Sequence, residues 1–226
     1  AAADTETHLI VTHDVINAGH DREQLSPMAK EAKAALGRDE MRAVADKGYF
    51  SGREILACHE DGITTTLPRP ETSGNRKKGM YVKADFAYDA DADVYHCPAG
   101  ETLRRHYTTE EQGLVVHRYW TNLCQTCEIK ARCTTGKERR ITRWEHEHLV
   151  DAMCDRMSRD PSLMALRRST VEHPFGTIKA WMGATHFRMR RLTHVRTEMA
   201  FHVLAYNIKR MIALIGVRGL LAAIPS

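Results

Sequence analysis

Three groups of side chains in this 226-residue sequence have types and spacing that could do chemistry. The first is Asp46, in Ala45-Asp46-Lys47-Gly48-Tyr49, directly after the short apolar run Met41 to Ala45. A carboxylate at the C-terminal end of a buried strand lies where α/β folds assemble ligand sites, and carboxylate oxygen is what the hard cation Mg²⁺ takes. A turn-capping Asp would look the same. The second group is Arg168, Glu172 and Lys179, which on a helix fall at i, i+4 and i+11, close to one face. A surface ladder of ion pairs gives the same pattern, but it gives no reason to tolerate Pro174, which is expected to kink that helix. The third is a cysteine set: Cys97 in Cys97-Pro98-Ala99-Gly100, Cys124 and Cys127 as Cys-x2-Cys, and Cys133. Two thiolates from one turn make half a tetrahedral site, and Cys97 with Cys133 complete an S₄ set suited to one structural Zn²⁺. An Fe–S cluster or a metal-free module is the alternative, with His96, His106 and His117 as spare ligands.

The remaining candidates read as packing. Cys58 and Cys154 occupy apolar-looking helical positions and are expected to be buried small hydrophobes. Trp120, Trp144 and Trp181 are assigned to packing in preference to stacking on bases.

Positioning these groups falls to an alternation of strand and helix. His8 to Ile16 is rich in β-branched residues and predicts a strand, closed by Asn17, Ala18 and Gly19. Arg22 to Leu36 has helical apolar spacing and ends at Gly37; Met41 to Ala45 is a strand; Ser51 caps a helix to about Glu60; Gly62 to Leu67 is another strand. Strand, helix, strand, helix, strand predicts an α/β fold with parallel pairing. The Pro- and Gly-containing segment Pro68 to Met80, with Arg76-Lys77-Lys78, reads as an exposed linker. Phe86 to Trp144 holds four of the six Cys and reads as an insertion module, and from Glu145 the spacing turns helical over 145–159, 162–182 and 195–215. The expected organisation is 1–80, 81–144 and 145–226.

Composition narrows the class. With 42% hydrophobic and 27% charged residues, 14 Gly and 7 Pro, disordered, collagen-like and low-complexity chains are excluded. The Cys spacing does not resemble a secreted disulfide framework, which points to a reducing cytosol. Met211 to Val217, the most apolar stretch, is cut by Arg218 and falls short of the ~20 residues of a bilayer span, so no transmembrane helix is expected. The first residues carry no signal sequence and no initiator Met, so the natural start is expected upstream. The net charge of +4 divides unevenly: the stretch from Lys137 to Arg218 carries +8 and the rest −4, which suggests a polyanion held by the C-terminal part.

Ala45-Asp46-Lys47-Gly48-Tyr49, followed much later by Arg168-x3-Glu172-x6-Lys179 and a helix with Tyr206-Asn207-Ile208-Lys209-Arg210, resembles the DDE transposases of bacterial insertion sequences. Within them the chain is similar to the IS1182-like branch of the IS4/IS5 superfamily, whose members carry a Cys-containing insertion between the second Asp and the Glu. The resemblance runs from about His8 to Lys209. It implies an RNase H-like (retroviral integrase-type) core, here truncated at its N-terminus, with a Cys-rich insertion and a helical C-terminus. Asp46 is then the second acid, Glu172 the third, and Arg168 and Lys179 the basic residues flanking that Glu. The family's Tyr three residues before the Arg is Ala165 here. Its first Asp lies on a strand before a hairpin whose turn matches Asp4 to His8, so that acid is expected upstream of residue 1; Asp4, read as a turn residue, is the alternative, and Asp14 and Asp21 are not expected in its place.

What the resemblance implies is chemically coherent. Phosphodiester cleavage and strand transfer develop charge on entering and leaving oxygens, which two Mg²⁺ (or Mn²⁺) ions bound by Asp46, Glu172 and a third acid would stabilise. Arg168 and Lys179, with Arg188, Arg190, Arg191 and Arg196, would hold DNA phosphates. Double-stranded DNA of insertion-sequence ends and target, a homodimer on that DNA, no membrane and a nucleoid-associated cytoplasmic location in a bacterium follow from the same resemblance. A chain without the first Asp is expected to be inactive alone. The alternative is a non-catalytic, zinc-stabilised DNA-binding remnant of a transposase.

Overall fold

In a computed structural model, residues 1–223 are described. The chain forms two compact units, the second inserted into the first: Ala1–Arg69 together with Leu149 onward, and Pro70–His148.

The first unit is mixed α/β. Strands β1 (Ala2–Ala3) and β2 (Ile10–Thr12) pair antiparallel. Helix α1 (Leu25–Ala35) follows, then β3 (Met41–Val44), helix α2 (Gly52–Glu60) and β4 (Ile63–Thr66). Strands β3 and β4 pair in parallel, Met41 opposite Ile63 through Val44 opposite Thr66, as a β-α-β crossover requires. Leu25, Ala29 and Ala32 form the buried stripe of α1, Ile55 and Cys58 that of α2. Glu54 ties the two helices by accepting from the Ser26 N–H at 2.8 Å. Ser51 holds the N-cap position of α2, but its side chain makes no capping bond.

The expected strand His8–Ile16 shortens to three paired residues because its partner β1 has only two. His8 itself turns at φ +59°, a left-handed conformation costly for a non-glycine residue, and so belongs to the hairpin turn.

The second unit is an antiparallel five-stranded sheet in sequential order: β5 (Ala87–Asp89), β6 (Val94–His96), β7 (Thr102–Glu111), β8 (Leu114–Trp120) and β9 (Ile141–Trp144). Phe86, Tyr95, Leu103, Tyr119, Cys133 and Ile141 make its core. Asp93 accepts from the hydroxyls of Tyr88 at 2.8 Å and Tyr119 at 2.6 Å, while Arg143 lies over the Tyr88 ring at 3.7 Å. Buried aromatic rings with satisfied polar ends let a sheet this small keep a core.

Three helices follow: α3 (Glu147–Arg159), α4 (Ser162–Gly176) and α5 (Leu192–Ala223), the last kinked at Gly216, whose φ of +73° and ψ of 167° are not helical. Helix α4 continues through Pro174 and passes into a π-helical turn over Thr177–Trp181. In the first unit, Ile10, Ile178, Met199, Val203 and Tyr206 form one cluster. Helix α5 buries only its Met199, Val203, Tyr206 stripe and leaves Phe201, Leu204, Ile208, Ile212 and Ile215 exposed. By length and composition alone α5 qualifies as a membrane-crossing helix, as core helices also do, whereas the expectation drawn from Met211 to Val217 is of none. The apolar residues are spread along its whole length, so a count of one uninterrupted run misses them.

Candidate active site

Asp46 stands immediately after β3, whose pairing with β4 continues one step through the Ala45 N–H to the Thr66 carbonyl at 3.0 Å. Its carboxylate accepts from the Lys47 N–H at 2.6 Å and so caps the 3₁₀ turn Lys47–Tyr49. The other oxygen lies 3.7 Å from the Arg167 guanidinium of α4. With the Asp46 side chain 50% exposed, that pair adds well under about 1 kcal/mol and serves to orient. Capping and a ligand role are compatible, since one carboxylate has about four lone-pair sites.

Around this pair lies a cavity of about 350 Å³, mostly apolar, bordered by Asp4, Asp46, Tyr49, Arg167, Val171 and Phe175 among others. Burial pushes the Tyr49 phenol above its ordinary pKa, with Asp21 and Asp46 adding to the rise and Arg167 opposing it.

Glu172 does not border that cavity and is exposed on α4. The reason is helical phase. Arg167, Val171 and Phe175 recur at four-residue intervals on the arc facing β3, and each step of one residue turns about 100°. Arg168 and Glu172 share the next arc, so the residue that meets Asp46 is Arg167, not Arg168. The expected single face of Arg168, Glu172 and Lys179 also breaks at Lys179. The π-helical turn, closed by Met182 N–H to the Thr177 carbonyl at 3.1 Å, has fewer degrees per residue than the α-helix assumed in the i+11 spacing.

Asp4 borders the cavity, but its Oδ1 accepts from the Thr7 hydroxyl, the Thr7 N–H at 2.7 Å and the Glu6 N–H at 3.3 Å. These bonds, the Thr7 hydroxyl first, hold its carboxyl below the usual carboxylate range. It is a turn residue, as its place between β1 and β2 predicts. Among the described residues, no three His, Cys, Asp or Glu side chains are arranged to hold a metal ion. The donor chemistry of Asp46 and Glu172 suits a hard cation, but their number and spacing here do not complete a two-ion site. No step through Mg²⁺ follows from this arrangement.

Of the basic residues, Arg188, Arg190 and Arg191 are exposed in the segment before α5, while the backbone N–H of Arg188 is fixed by the Glu198 carboxylate at 2.9 Å. Arg196 is engaged internally: it pairs with Asp14 at 2.9 Å and donates to the Val15 carbonyl at 3.0 Å. The Tyr206-Asn207-Ile208-Lys209-Arg210 motif is structural over three of its members. Asn207 brackets Ile10, accepting from its N–H and donating to its carbonyl, each at 2.9 Å. Tyr206 donates to the His8 carbonyl at 2.7 Å, and Arg210 to the Thr7 carbonyl at 2.6 Å. These bonds clamp the β1–β2 hairpin that borders the cavity. Because the Tyr206 proton goes to His8, Tyr206 must accept from His173 Nδ1, 2.9 Å away. Sequence reasoning missed Arg167, Tyr49 and this His173–Tyr206 link; a two-by-two comparison of α4 phases against the apolar residues Val171 and Phe175 could have found the first.

Trp181 departs from the expectation of packing. It is 80% exposed on the π-helical turn, with the Lys209 ammonium 5.1 Å from its ring centroid. Trp144 is buried, and Trp120 stacks on His106 at 3.6 Å. Cys58 is fully buried and burial pushes its thiol up to about 11, whereas Cys154 is only part-buried. In the second unit Cys97, Cys124, Cys127 and Cys133 border one small cavity, all as free thiols.

No curated protein and no solved structure matches the chain. The sequence profile of the family described as "Transposase DDE domain" matches residues 96–212, just over half of the chain. That span takes in the four clustered cysteines, Glu172, and α5 through Ile212, and begins after Asp46. A transposase of the DDE class acts on DNA phosphodiesters, in keeping with the basic C-terminal part and with a carboxylate at the C-terminal end of a parallel strand. The chain belongs to the transposase DDE domain family.

Proposed function

We propose that the chain carries two of the three catalytic acids, Asp46 and Glu172, of a bacterial insertion-sequence transposase of the IS1182-like branch. That transposase would cut and join phosphodiester bonds at the element's double-stranded ends; two Mg²⁺ ions, or Mn²⁺ in their place, would need a third acid beside Asp46 and Glu172. On this reading the first unit is an RNase H-like core, the second its Cys-rich insertion, and the working form a homodimer on DNA in the cytoplasm, at the nucleoid. The observation that carries the reading is the position of Asp46: it ends β3 beside β4, with α4, which bears Glu172, laid against β3 and touching Asp46 through Arg167. Arg168, Lys179, Arg188, Arg190 and Arg191 would hold phosphates, and Mg²⁺, if a third acid completed its site with Asp46 and Glu172, would supply charge neutralisation at the reacting oxygens.

Two observations weigh the other way and favour a non-catalytic DNA-binding remnant: Glu172 stands off the cavity that Asp46 borders, and the described residues contain no three-donor cluster. One experiment separates the two readings. Fe²⁺ bound in place of Mg²⁺ and supplied with hydrogen peroxide and ascorbate generates hydroxyl radicals that cut the backbone beside its ligands. Cuts at Asp46 and Glu172 that Mg²⁺ suppresses and Asp46→Asn abolishes support the transposase site. Cuts elsewhere, or none, support the remnant. The chain alone is expected not to nick supercoiled DNA bearing the element's ends; nicking that disappears in Asp4→Ala would place the first acid at Asp4 instead.

A further inference from the structure

The small cavity of the second unit is bordered by all four clustered thiols, which arrive on three separate segments. Cys97 follows β6 in a tight turn: its carbonyl accepts from the Gly100 N–H at 2.8 Å, and its N–H donates to the Glu101 carbonyl at 2.9 Å. Gly100 takes φ +84°, which a side chain would resist. Cys124 and Cys127 sit on and just after the 3₁₀ turn Asn122–Gln125, and the Cys127 carbonyl accepts from the Lys130 N–H at 3.1 Å. Cys133 closes the next turn through its N–H to the Lys130 carbonyl at 2.9 Å, and lies in the sheet's core cluster.

Two further observations mark this cavity as a site. Arg139 borders it, and its Nε is buried with no hydrogen-bond partner, a cost of roughly 1–3 kcal/mol for a donor left unmatched. Lys130 also borders it, so two cations face a group of thiols that carries no charge until it ionises. Four thiolates around one divalent ion carry a net charge of −2, which these cations balance, and a metal-bound sulfur gives the orphan Nε–H an acceptor.

We propose that Cys97, Cys124, Cys127 and Cys133 bind one Zn²⁺ as a tetrathiolate that staples the turns after β6 and β8 to the approach to β9, with Arg139 donating to a coordinated sulfur. The cavity, about 20 Å³, is near the room one water needs, in keeping with a single ion. Soft sulfur donors select zinc over the hard cations of the first unit. The thiols now stand around the cavity without converging on a common point, so binding draws them inward, releasing one proton per thiol. All four lie on or beside turns, the backbone best able to follow.

The test is independent of any activity on DNA. The chain, expressed with zinc in the medium and purified under reducing conditions, should contain one zinc per chain by elemental analysis. A mercurial titration should release that zinc in step with four thiols, and Co²⁺ exchange should give the visible bands of a tetrahedral thiolate complex. Cys97→Ser and Cys124→Ser should each lose the metal, while Cys154→Ser keeps it. Should a Ser variant fail to fold, the mercurial and Co²⁺ measurements on the unaltered chain decide alone. Metal far below one per chain with no Co²⁺ bands, release uncoupled from four thiols, or iron with a brown chromophore would each overturn the proposal.

Discussion

At the scale of single residues, the neighbours Arg167 and Arg168 divide the work by helical phase. Arg167 faces Asp46 and Val171 faces the same cavity, so Arg167→Ala should lower stability by less than about 1 kcal/mol, measured by urea unfolding, and leave DNA affinity nearly unchanged. Arg168→Ala should do the reverse: the same unfolding midpoint, weaker DNA binding, and a slope of log K against log salt reduced by about 0.9 for the one phosphate contact removed. Equal effects from both would mean that α4 is turned differently when DNA is bound. Cys58 offers a second comparison. With its thiol pushed up to about 11 by burial, it should remain unalkylated by iodoacetamide at pH 8 while part-exposed Cys124, in chain stripped of zinc by a chelator, is modified, as read by mass spectrometry.

At the scale of elements, the hairpin β1–β2 depends on α5. Tyr206→Phe leaves the His8 carbonyl and His173 Nδ1 without partners and should destabilise the first unit by about 1–3 kcal/mol. Burial first, then the charges of His8 and Arg210, hold His173 below its ordinary value of 6.5. The folded state therefore binds this proton less readily than the unfolded state does. The associated stability is complete above 6.5 and is lost as pH falls through the lowered folded value. Unfolding midpoints measured between pH 8 and 5 should fall, and the fall should be smaller in His173→Gln; an unchanged profile would remove His173 from the account. The sequence made part of this legible. Ile10–Thr12, α1, β3, α2 and β4 follow their apolar periods and turn residues closely. His8 does not, because a β-branched neighbourhood says nothing of the left-handed turn that Asp4 and Thr7 impose. Lys179 escapes for a related reason: nothing local in Thr177-Ile178-Lys179 announces a π-helical turn after Pro174.

At the scale of the whole molecule, the +8 charge of Lys137 to Arg218 is the feature that the sequence reported most plainly, because net charge needs no geometry. Its distribution is a different matter, since Arg196 is held by Asp14 and Val15, whereas Arg188, Arg190 and Arg191 stay exposed. Replacing those three with Ala should weaken binding to any duplex by a similar factor and lower the salt slope, leaving the unfolding midpoint in place. Asp46 was legible from its strand and the cysteines from their spacing. The arc on which Glu172 lies was not, because a motif fixes distances along a helix and not the rotation of that helix against its sheet.

The clamp on the hairpin also has a consequence in time. Asn207 is separated from Ile10 by 197 positions, with the entire second unit between them. At a synthesis rate of ~5–20 residues per second, Ile10 is made about 10–40 s before the side chain that brackets it. The contiguous stretch Pro70–His148 meets no such delay, having its whole sheet on one run of chain, and by folding early it shortens the loop that must close to join β2 to α5. On the ribosome, then, the β1–β2 hairpin that borders the cavity around Asp46 goes without its bracket until α5 emerges.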